Sequence, residues 1–415
     1  GGHKIINQTF RRQYNGKMNK VYASGVLPIT LTPEHPLLIK YGRYIRNRAP
    51  VKMKFSDFVW KPSKDLDIKT RRSEGRCYLA IPRLKGTSNV KEINLERFTT
   101  PHGMAVAKGR GTPTTFPINN DTAWLIGLYV AEGSSHEGDV QFSLNSKETK
   151  ICNRIKEISK KIGYNARIRR YRQHNGISVH IDSFILSRAF PEWCGKGAKN
   201  KHIPDFIFWN KDSNLVQSFL EGYFLGDGCL RKVNFRQRAC TVSNILVQQV
   251  QLLLARLGYF MHLRLNKRAK KVIINGIETN QSDIYEMEGY FNRPPIKPRH
   301  IVEDSHILTP ITKIEEFDYN GPVHNIETSD NTYLVSNIVV HNCDGYIWQK
   351  DKSTTKWPSN WTNFMKLADK TAAMSEFGGK ILTANGVENT VIPHGVETET
   401  FRPMPPQARK EIREK

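Results

Sequence analysis

Acidic side chains are scarce in this 415-residue chain: 39 Asp and Glu stand against 63 Lys and Arg, a net charge of +24. Such a surplus points to a polyanionic partner, because Lys and Arg that neutralise phosphates release condensed counterions. A soluble basic protein without that partner is the competing reading. Cysteine is sparse as well. The six (Cys77, Cys152, Cys194, Cys229, Cys240 and Cys343) are scattered, with neither zinc spacing nor a secreted disulfide framework, which fits a reducing cytoplasm. No apolar run approaches the ~20 residues of a membrane helix, and Gly1-Gly2-His3-Lys4 is not a signal peptide, so no membrane partner is expected. Hydrophobic content of 38% and aromatic content of 10% are enough for packed cores. At ~100–200 residues each, two to four domains are expected.

Residues 1–85 read as short strands between turns, among them Lys17–Tyr22, Leu27–Thr30 and Cys77–Ile81, which ends at Pro82. From about 86 to 118 the chain is polar and rich in Gly, Pro and Thr, and is expected to be a connector. Two apolar helices follow, Thr122–Ala131 and Leu215–Gly226, with Asp121 and Ser213 as the expected caps. Each leads into basic, strand-rich sequence and a further amphipathic helix, Lys150–Ile162 and Ile245–Leu257. This order of elements occurs twice, with 95 residues between Glu132 and Asp227. That period is too long for a solenoid and suits a pseudo-dimer in one chain. Short strands return at Thr312–Phe317, Val323–Thr328, Thr332–Val335 and Ile338–Val340. Beyond 342, Trp348, Trp357 and Trp361 cluster, and a helix-like run, Asn363–Ser375, leads to an apolar strand at Thr390–Pro393.

The duplicated helices carry the first chemistry. They read Trp124-Leu125-Ile126-Gly127-Leu128-Tyr129-Val130-Ala131-Glu132-Gly133 and Phe219-Leu220-Glu221-Gly222-Tyr223-Phe224-Leu225-Gly226-Asp227-Gly228. Small residues four apart (Gly127 and Ala131, Gly222 and Gly226) let two helix backbones approach, which would set Glu132 and Asp227 side by side. Two carboxylates so placed repel unless a divalent cation lies between them, and oxygen ligands with open positions suit Mg2+. The pair of motifs resembles the LAGLIDADG homing endonucleases, and Gly197-Ala198-Lys199-Asn200-Lys201-His202-Ile203-Pro204 resembles that family's inter-repeat connector. The resemblance covers roughly 117–298 and implies an α+β pseudo-two-fold fold acting as a monomer. It further implies Mg2+-dependent cleavage of double-stranded DNA, with Glu132 and Asp227 as metal ligands. Basic stretches after each helix are the candidate DNA-binding residues: Arg167, Arg169, Arg170 and Arg172 in the first copy, Arg231, Lys232, Arg236 and Arg238 in the second, then Arg264, Lys267 and Arg268. Alternation along β-ribbons would point one set of them into a major groove.

The second chemistry lies at Ile338-Val339-Val340-His341-Asn342-Cys343. An Asn amide can attack its own carbonyl and break the chain, a Cys thiolate can accept an acyl group, and a neighbouring His can relay the proton. With the strands that precede it, this run resembles the C-terminal splice junction of inteins. Thr32-Pro33-Glu34-His35 resembles the family's Thr-x-x-His block, and Trp60, Asp65-Leu66 and Tyr78–Arg83 resemble the end of an intein's first half. The resemblance implies that Thr32, His35, His341, Asn342 and Cys343 are catalytic. Two positions depart from the pattern. Position 1 is Gly, and Gly1–Tyr22 resembles sequence some tens of residues into an intein, so the upstream Cys or Ser is expected to be missing and splicing incomplete. Asn325 stands where the family often has Asp.

Finally, Ser375-Glu376-Phe377-Gly378 and Val391-Ile392-Pro393-His394-Gly395-Val396 resemble the middle of a GT-B glycosyltransferase, implying a covalently linked host fragment (extein). The expected architecture is multidomain. A β-rich Hint splicing domain (1–105 and 301–342) is interrupted by a LAGLIDADG endonuclease (106–300) and followed by a partial α/β glycosyltransferase-like fragment (343–415). The alternatives are a catalytically inactive LAGLIDADG-derived DNA-binding protein and a glycosyltransferase carrying a DNA-binding insertion.

Overall fold

The computed structural model describes residues 4–45, 52–66, 75–99, 113–136, 138–170, 175–231, 235–268, 270–274, 277–292 and 300–342, and downstream 372–373, 380, 382–384 and 386–391. The chain forms two units, Gly1–Asp344 and Gly345–Lys415.

The first unit opens with a long strand, β1 (Ile6–Ala23), then β2 (Ile29–Leu31), β3 (Pro36–Ile45), β4 (Lys52–Phe55), β5 (Val59–Pro62) and β6 (Arg76–Pro82). The stretch expected to be a connector instead carries a short hairpin of β7 (Glu92–Asn94) and β8 (Thr115–Pro117). Leu95, Phe98 and Phe116 are buried there. These widely spaced apolar residues pin a polar segment onto the core. Next comes α1 (Asn120–Glu132), followed by β9 (Gly133–His136), β10 (Asp139–Asn145), α2 (Thr149–Lys161), β11 (Ala166–Arg170), β12 (Gly176–Asp182), α3 (Phe184–Cys194) and α4 (Asp205–Phe208). The second copy runs α5 (Ser213–Gly226), β13 (Gly228–Leu230), β14 (Gln237–Thr241), α6 (Asn244–Arg256), β15 (Met261–Asn266), β16 (Lys271–Ile274), β17 (Ile277–Asn280) and β18 (Ile284–Gly289). The unit closes with β19 (Ile301–Val302), β20 (His306–Thr328), β21 (Thr332–Val335) and β22 (Ile338–His341).

Both ends of the unit share one sheet of ten strands, ordered β2-β1-β20-β6-β3-β22-β21, with β19 on β20 and β4 and β5 on β3. The strands expected at Thr312–Phe317 and Val323–Thr328 are a single strand, β20, because β1 pairs with it from Ile6 to Ala23. At the middle of that pair Asn15 faces Asn320. The Tyr14 ring packs over Gly16 and its hydroxyl donates to Lys17 O (2.8 Å), while Tyr319 does the same over Gly321 to Pro322 O (2.9 Å). Aromatic rings thus cover the two glycines that would weaken a strand interior. Strand β6 is buried on both faces: Cys77, Leu79 and Ile81 join the main core, and Tyr78 and Ala80 pack with Leu308 on the other side.

The duplicated region builds two four-stranded sheets, β11-β12-β10-β9 and β13-β14-β18-β15, on a central pair of helices. The caps are not Asp121 and Ser213. Helix α1 starts earlier, because the Asn119 side chain accepts from Thr122 N (3.0 Å) and Asn119 N donates to Thr122 Oγ1 (3.0 Å), a reciprocal capping box. Asp121 sits in the first turn and pairs with Lys161 (2.7 Å). Helix α5 is capped by Asp212, which accepts from Asn214 N (2.9 Å). Thr122 to Val130 is buried without a break, as befits a helix enclosed on all sides. Gly127 lies against Phe219 O and Gly222 against Trp124 O, both so close that a Cβ would clash. Helix α6 packs on the large sheet, and Arg83 caps its end by donating to Ala255 O (3.0 Å), Arg256 O (3.3 Å) and, across the chain, Glu303 O (2.9 Å).

In the second unit, Ala372–Ala373 pairs in parallel with Thr390–Val391. Ala372 and Ala373 fall inside the expected helical run Asn363–Ser375 and are extended, because they take the ladder bonds of that pair. Residues 382–384 are helical, with Leu382 and Val387 buried.

The helix contact predicts an inverted mutational response. Gly→Ala inside a helix ordinarily stabilises by ~0.5–1 kcal/mol. Gly222→Ala should instead destabilise by ~1–3 kcal/mol, because its methyl meets the Trp124 backbone. Urea denaturation measures the sign.

Candidate functional sites

The two central helices end together. A Cβ on Gly226 would stand 2.6 Å from Ala131 Cβ and 2.8 Å from Glu132 Cγ, so the last turn of α5 is pressed against the last residues of α1. Asp227 caps α5, donating its N–H to Tyr223 O (3.1 Å). Burial first, and then the Glu132 carboxylate, push the Asp227 carboxyl up to about 7, and Lys201 opposes them. Glu132 is also raised, by burial and by Glu148. Both groups sit at helix C-termini, where the backbone carbonyls add negative potential. Carboxylates placed against burial, each other and two helix dipoles form a hard-oxygen donor set that favours a small divalent cation. Among the described residues no cluster of three or more His, Cys, Asp or Glu side chains that could hold a metal forms, and Glu132 and Asp227 are the two carboxylates brought together at the helix ends.

Lys201, which lies in the stretch that resembles an inter-repeat connector and is not among the candidate site residues of the sequence, completes this site. Its side chain is buried and its Nζ donates to Tyr129 O and Gly133 O (both 3.0 Å), the closing carbonyls of α1. Nζ also lies 3.8 Å from the Tyr129 ring centroid. Burial lowers its pKa to about 8, with Cys194 and Asp227 acting against the shift. Ser243 Oγ donates to Lys201 O (2.6 Å) and fixes the backbone. A cavity of about 530 Å³ opens beside the site, lined by Tyr129, Gly133, Lys201, Asp227, Cys240 and Thr241 among others.

The two small sheets present polar faces. In the first, Arg167 lies opposite His180 and Arg169 opposite Ser178, with Gln141 and Ser143 on the far side of β12. Ser178 and His180 are themselves buried, the arginines of this face are exposed, and Ile177, Val179 and Ile181 occupy the opposite, apolar face. Arg170 pairs with Ile177 and so alternates away from Arg167 and Arg169. Carboxylates organise this face: His180 bonds Asp139 (2.7 Å) and Ser178 (2.8 Å), and Arg167 pairs with Asp182 (2.9 Å). In the second sheet Arg238 pairs with Glu286 (2.7 Å), and Glu288 draws in Arg236 (3.4 Å) and Arg231 (3.9 Å). Arg264 stands opposite Glu286 on β15. Lys267 and Arg268 follow that strand, the Arg268 N–H donating to Asp283 (3.0 Å). Arg172 and Lys232 lie outside the described residues.

A second constellation forms on the large sheet. Thr32 O accepts the His35 N–H (3.1 Å), closing the turn ahead of β3. Ser63 Oγ donates to Thr32 O (3.0 Å) while accepting from Asn19 Nδ2 (3.0 Å). Strand β22 joins β3 at Val340 opposite Leu37, which brings His35 to His341 across 306 residues of sequence. The His35 ring is buried, and desolvation together with His341 lowers its pKa to about 4. His341 packs edge-on to Trp60 (centroids 5.1 Å), and its Nδ1 lies 2.7 Å from Asn342 O. A carbonyl only accepts, so Nδ1 carries the proton. Asn342 is buried, with its N–H held by Asn331 O (2.8 Å). Tyr333, edge-on to His35, donates its hydroxyl to Asn325 Oδ1 (2.8 Å). Cys343 lies outside the described residues.

The model of a LAGLIDADG-like domain matches residues 214–288, from α5 to β18. Relatives match more of the chain. The ATP-dependent DNA helicase Hel308 of Thermococcus kodakarensis is 27% identical over 386 residues, 83% of this chain and 33% of that protein. The DNA-directed RNA polymerase subunit Rpo1C of Methanocaldococcus jannaschii is 26% identical over 261 residues, 62% of this chain and 28% of that protein. This chain spans about a third of the length of these relatives. A crystal structure of I-DmoI with DNA and Mn aligns over 41% of this chain and 89% of that one, at 15% identity and a TM-score of 0.31.

The Asp227 environment fixes a pH response. Its folded pKa, about 7, lies above the ordinary aspartate value of 3.8, so the folded state holds the proton more tightly. Stability is therefore lost as pH rises from about 4 to about 7. In metal-free buffer Asp227→Asn should raise Tm at pH 7.5, by about 2–4 °C per kcal/mol of relieved repulsion, and leave it unchanged near pH 4. Calorimetry at the two pH values measures the difference.

Proposed function

We propose that the chain is an intein carrying a homing endonuclease, which cuts both strands of a specific DNA duplex and sits in a Hint-type splicing domain. The observation that carries the endonuclease reading is the meeting of Glu132 and Asp227 at the ends of two glycine-packed helices inside a region that includes the LAGLIDADG-like domain. Glu132 and Asp227 would hold Mg2+ or a similar divalent ion, which when bound supplies charge neutralisation at the scissile phosphate and an activated water. Lys201, held to the α1 carbonyls beside Asp227, adds a positive charge that draws the phosphate backbone in. The polar sheet faces hold the duplex through Arg167 and Arg169 on one side and Arg231, Arg236, Arg238 and Arg264 on the other, with Lys267 and Arg268 beyond. One chain supplies both carboxylates, so the enzyme acts as a monomer, in the cytoplasm.

The splicing reading rests on the hydrogen bond from His341 Nδ1 to the carbonyl of Asn342. In the cyclisation, Asn342 Nδ2 attacks the Asn342 carbonyl carbon and the C–N bond to Cys343 breaks. One proton passes from Nδ2 to the departing amine, leaving a succinimide and a new N-terminus at Cys343. His341 stabilises the oxyanion as it forms. Thr32 and His35 would act on the upstream junction, with His35 kept neutral by burial, and Cys343 would accept the acyl group. The matched relatives support an inserted element. Their names share no activity, yet each match takes most of this chain and about a third or less of the relative. The host would be glycosyltransferase-like, on the strength of the run from Ser375 to Val396; the parallel strand pair there suits an α/β fragment.

Two experiments test these readings. On duplexes selected from a random pool in Mg2+, Glu132→Gln and Asp227→Asn should each reduce cleavage by ~10²–10³-fold while leaving affinity within a few-fold. Affinity itself should fall by ~10³–10⁵ between 50 and 200 mM salt if six to ten phosphates are contacted. A double variant that still cuts would sink the metal assignment, and a wild type that binds without cutting would favour the inactive DNA-binding protein. Intact-mass analysis should show loss of residues 343–415 from the wild type, none from Asn342→Ala, and release slowed by ~10²-fold in His341→Ala. Tail release from Asn342→Ala would refute the junction.

A further inference from the structure

The hairpin that carries the junction is fastened to a helix of the DNA-cleaving half. Its two-residue turn, Ser336-Asn337, has both residues at positive φ (49° and 65°). Such turns favour Asn-Gly, and Ser at the first position is strained. What holds the strained turn is Asn337, buried at 4% exposure. Its Nδ2 donates to Gln248 O (3.0 Å) and to Gln251 Oε1 (2.9 Å), both on α6. Gln251 is itself fully buried, and its Nε2 donates to Gly25 O (2.7 Å) and Met261 O (2.8 Å). One carboxamide therefore ties together the β1–β2 turn, the start of β15 and the junction hairpin. Leu263 N adds a second bond to Gly25 O (3.0 Å).

From this turn to the reacting bond there is no slack. The register runs Val335 opposite Ile338 to Thr332 opposite His341, and Val340 is paired on its other side with Leu37. A shift of the turn thus moves along β22 to the His341 ring and the Asn342 carbonyl. We infer that Gln251, on α6 of the endonuclease half, and Asn337 form a clamp that positions His341 and Asn342 for cyclisation, so that the DNA-cleaving half is part of the splicing machinery. The inference rests on the splicing reading. Gln251 and Asn337 are positioning residues, since neither touches the reacting atoms.

The test follows tail release by intact mass in the full chain, with Tm and DNA affinity measured alongside. Asn337→Gly keeps a residue suited to positive φ and removes only the side chain, so the turn should persist while release slows ~10-fold or more. Gln251→Glu keeps the acceptor for Asn337 but donates only when protonated. Its deficit against wild type should be largest at pH 8 and shrink toward pH 5, a dependence that general loss of stability in Asn337→Gly would not share. If Gln251→Glu fails to fold, Asn337→Gly decides alone. Wild-type release rates in the folded variants, with Asn342→Ala still blocked, would overturn the clamp and leave the splicing reading standing. A wild type that keeps its tail under these conditions would overturn both.

Discussion

Two glycine contacts set the geometry on which the rest of the first unit depends. Gly127 against Phe219 O and Gly222 against Trp124 O let α1 and α5 approach backbone to backbone. A larger residue at either point would separate the helices by the width of a methyl and carry Glu132 away from Asp227. The same contact sets where the two small sheets stand, since β9 and β13 leave directly from the ends of these helices. Packing at the helix centre and electrostatics at the helix ends are thus one constraint: only helices this close bring Glu132 near enough to raise the pKa of Asp227.

A second constraint joins the duplicated region to the large sheet. The seam is polar as well as apolar. Arg83 on the large-sheet side caps α6, and Gln251 of α6 reaches Gly25 and Asn337. Buried polar groups of this kind cost free energy unless every partner is in place, so the seam has one satisfied arrangement rather than a range of sliding ones. Main-chain carbonyls are the usual acceptors, which makes the fit depend on backbone position more than on which side chains line it.

Much of this was legible in the sequence, and the failures have physical causes. The apolar helices and their small residues four apart announced a close pair, because nothing but packing explains glycines inside two such apolar runs. The caps were misplaced because Asn119 with Thr122 makes a reciprocal box without the usual acidic partner, while Asp121 looked the stronger cap in isolation. The span from 86 to 118 looked like a connector because Leu95, Phe98 and Phe116 are too far apart to show a period. The length of β1 and β20 was hidden because their outer halves are exposed and need no alternation. Lys201 and Gln251 could not be read at all. Their roles come from carbonyls that α1, β1 and β15 deliver from distant sequence, and no spacing within the chain announces such a meeting.

Both sites use burial to hold titratable groups away from their ordinary charge, with opposite consequences. At the helix ends, burial and mutual repulsion bring Asp227 to about 7 while Lys201 falls to about 8. The pair is therefore balanced near neutrality, and a small gain in local positive charge completes the ionisation of Asp227. A divalent cation held there would compete with the Asp227 proton close to physiological pH. Beside β22, burial and His341 take His35 to about 4, far from any switch, so that ring stays neutral across the physiological range. Burial thus leaves one site titrating close to neutrality and holds the other in its neutral form.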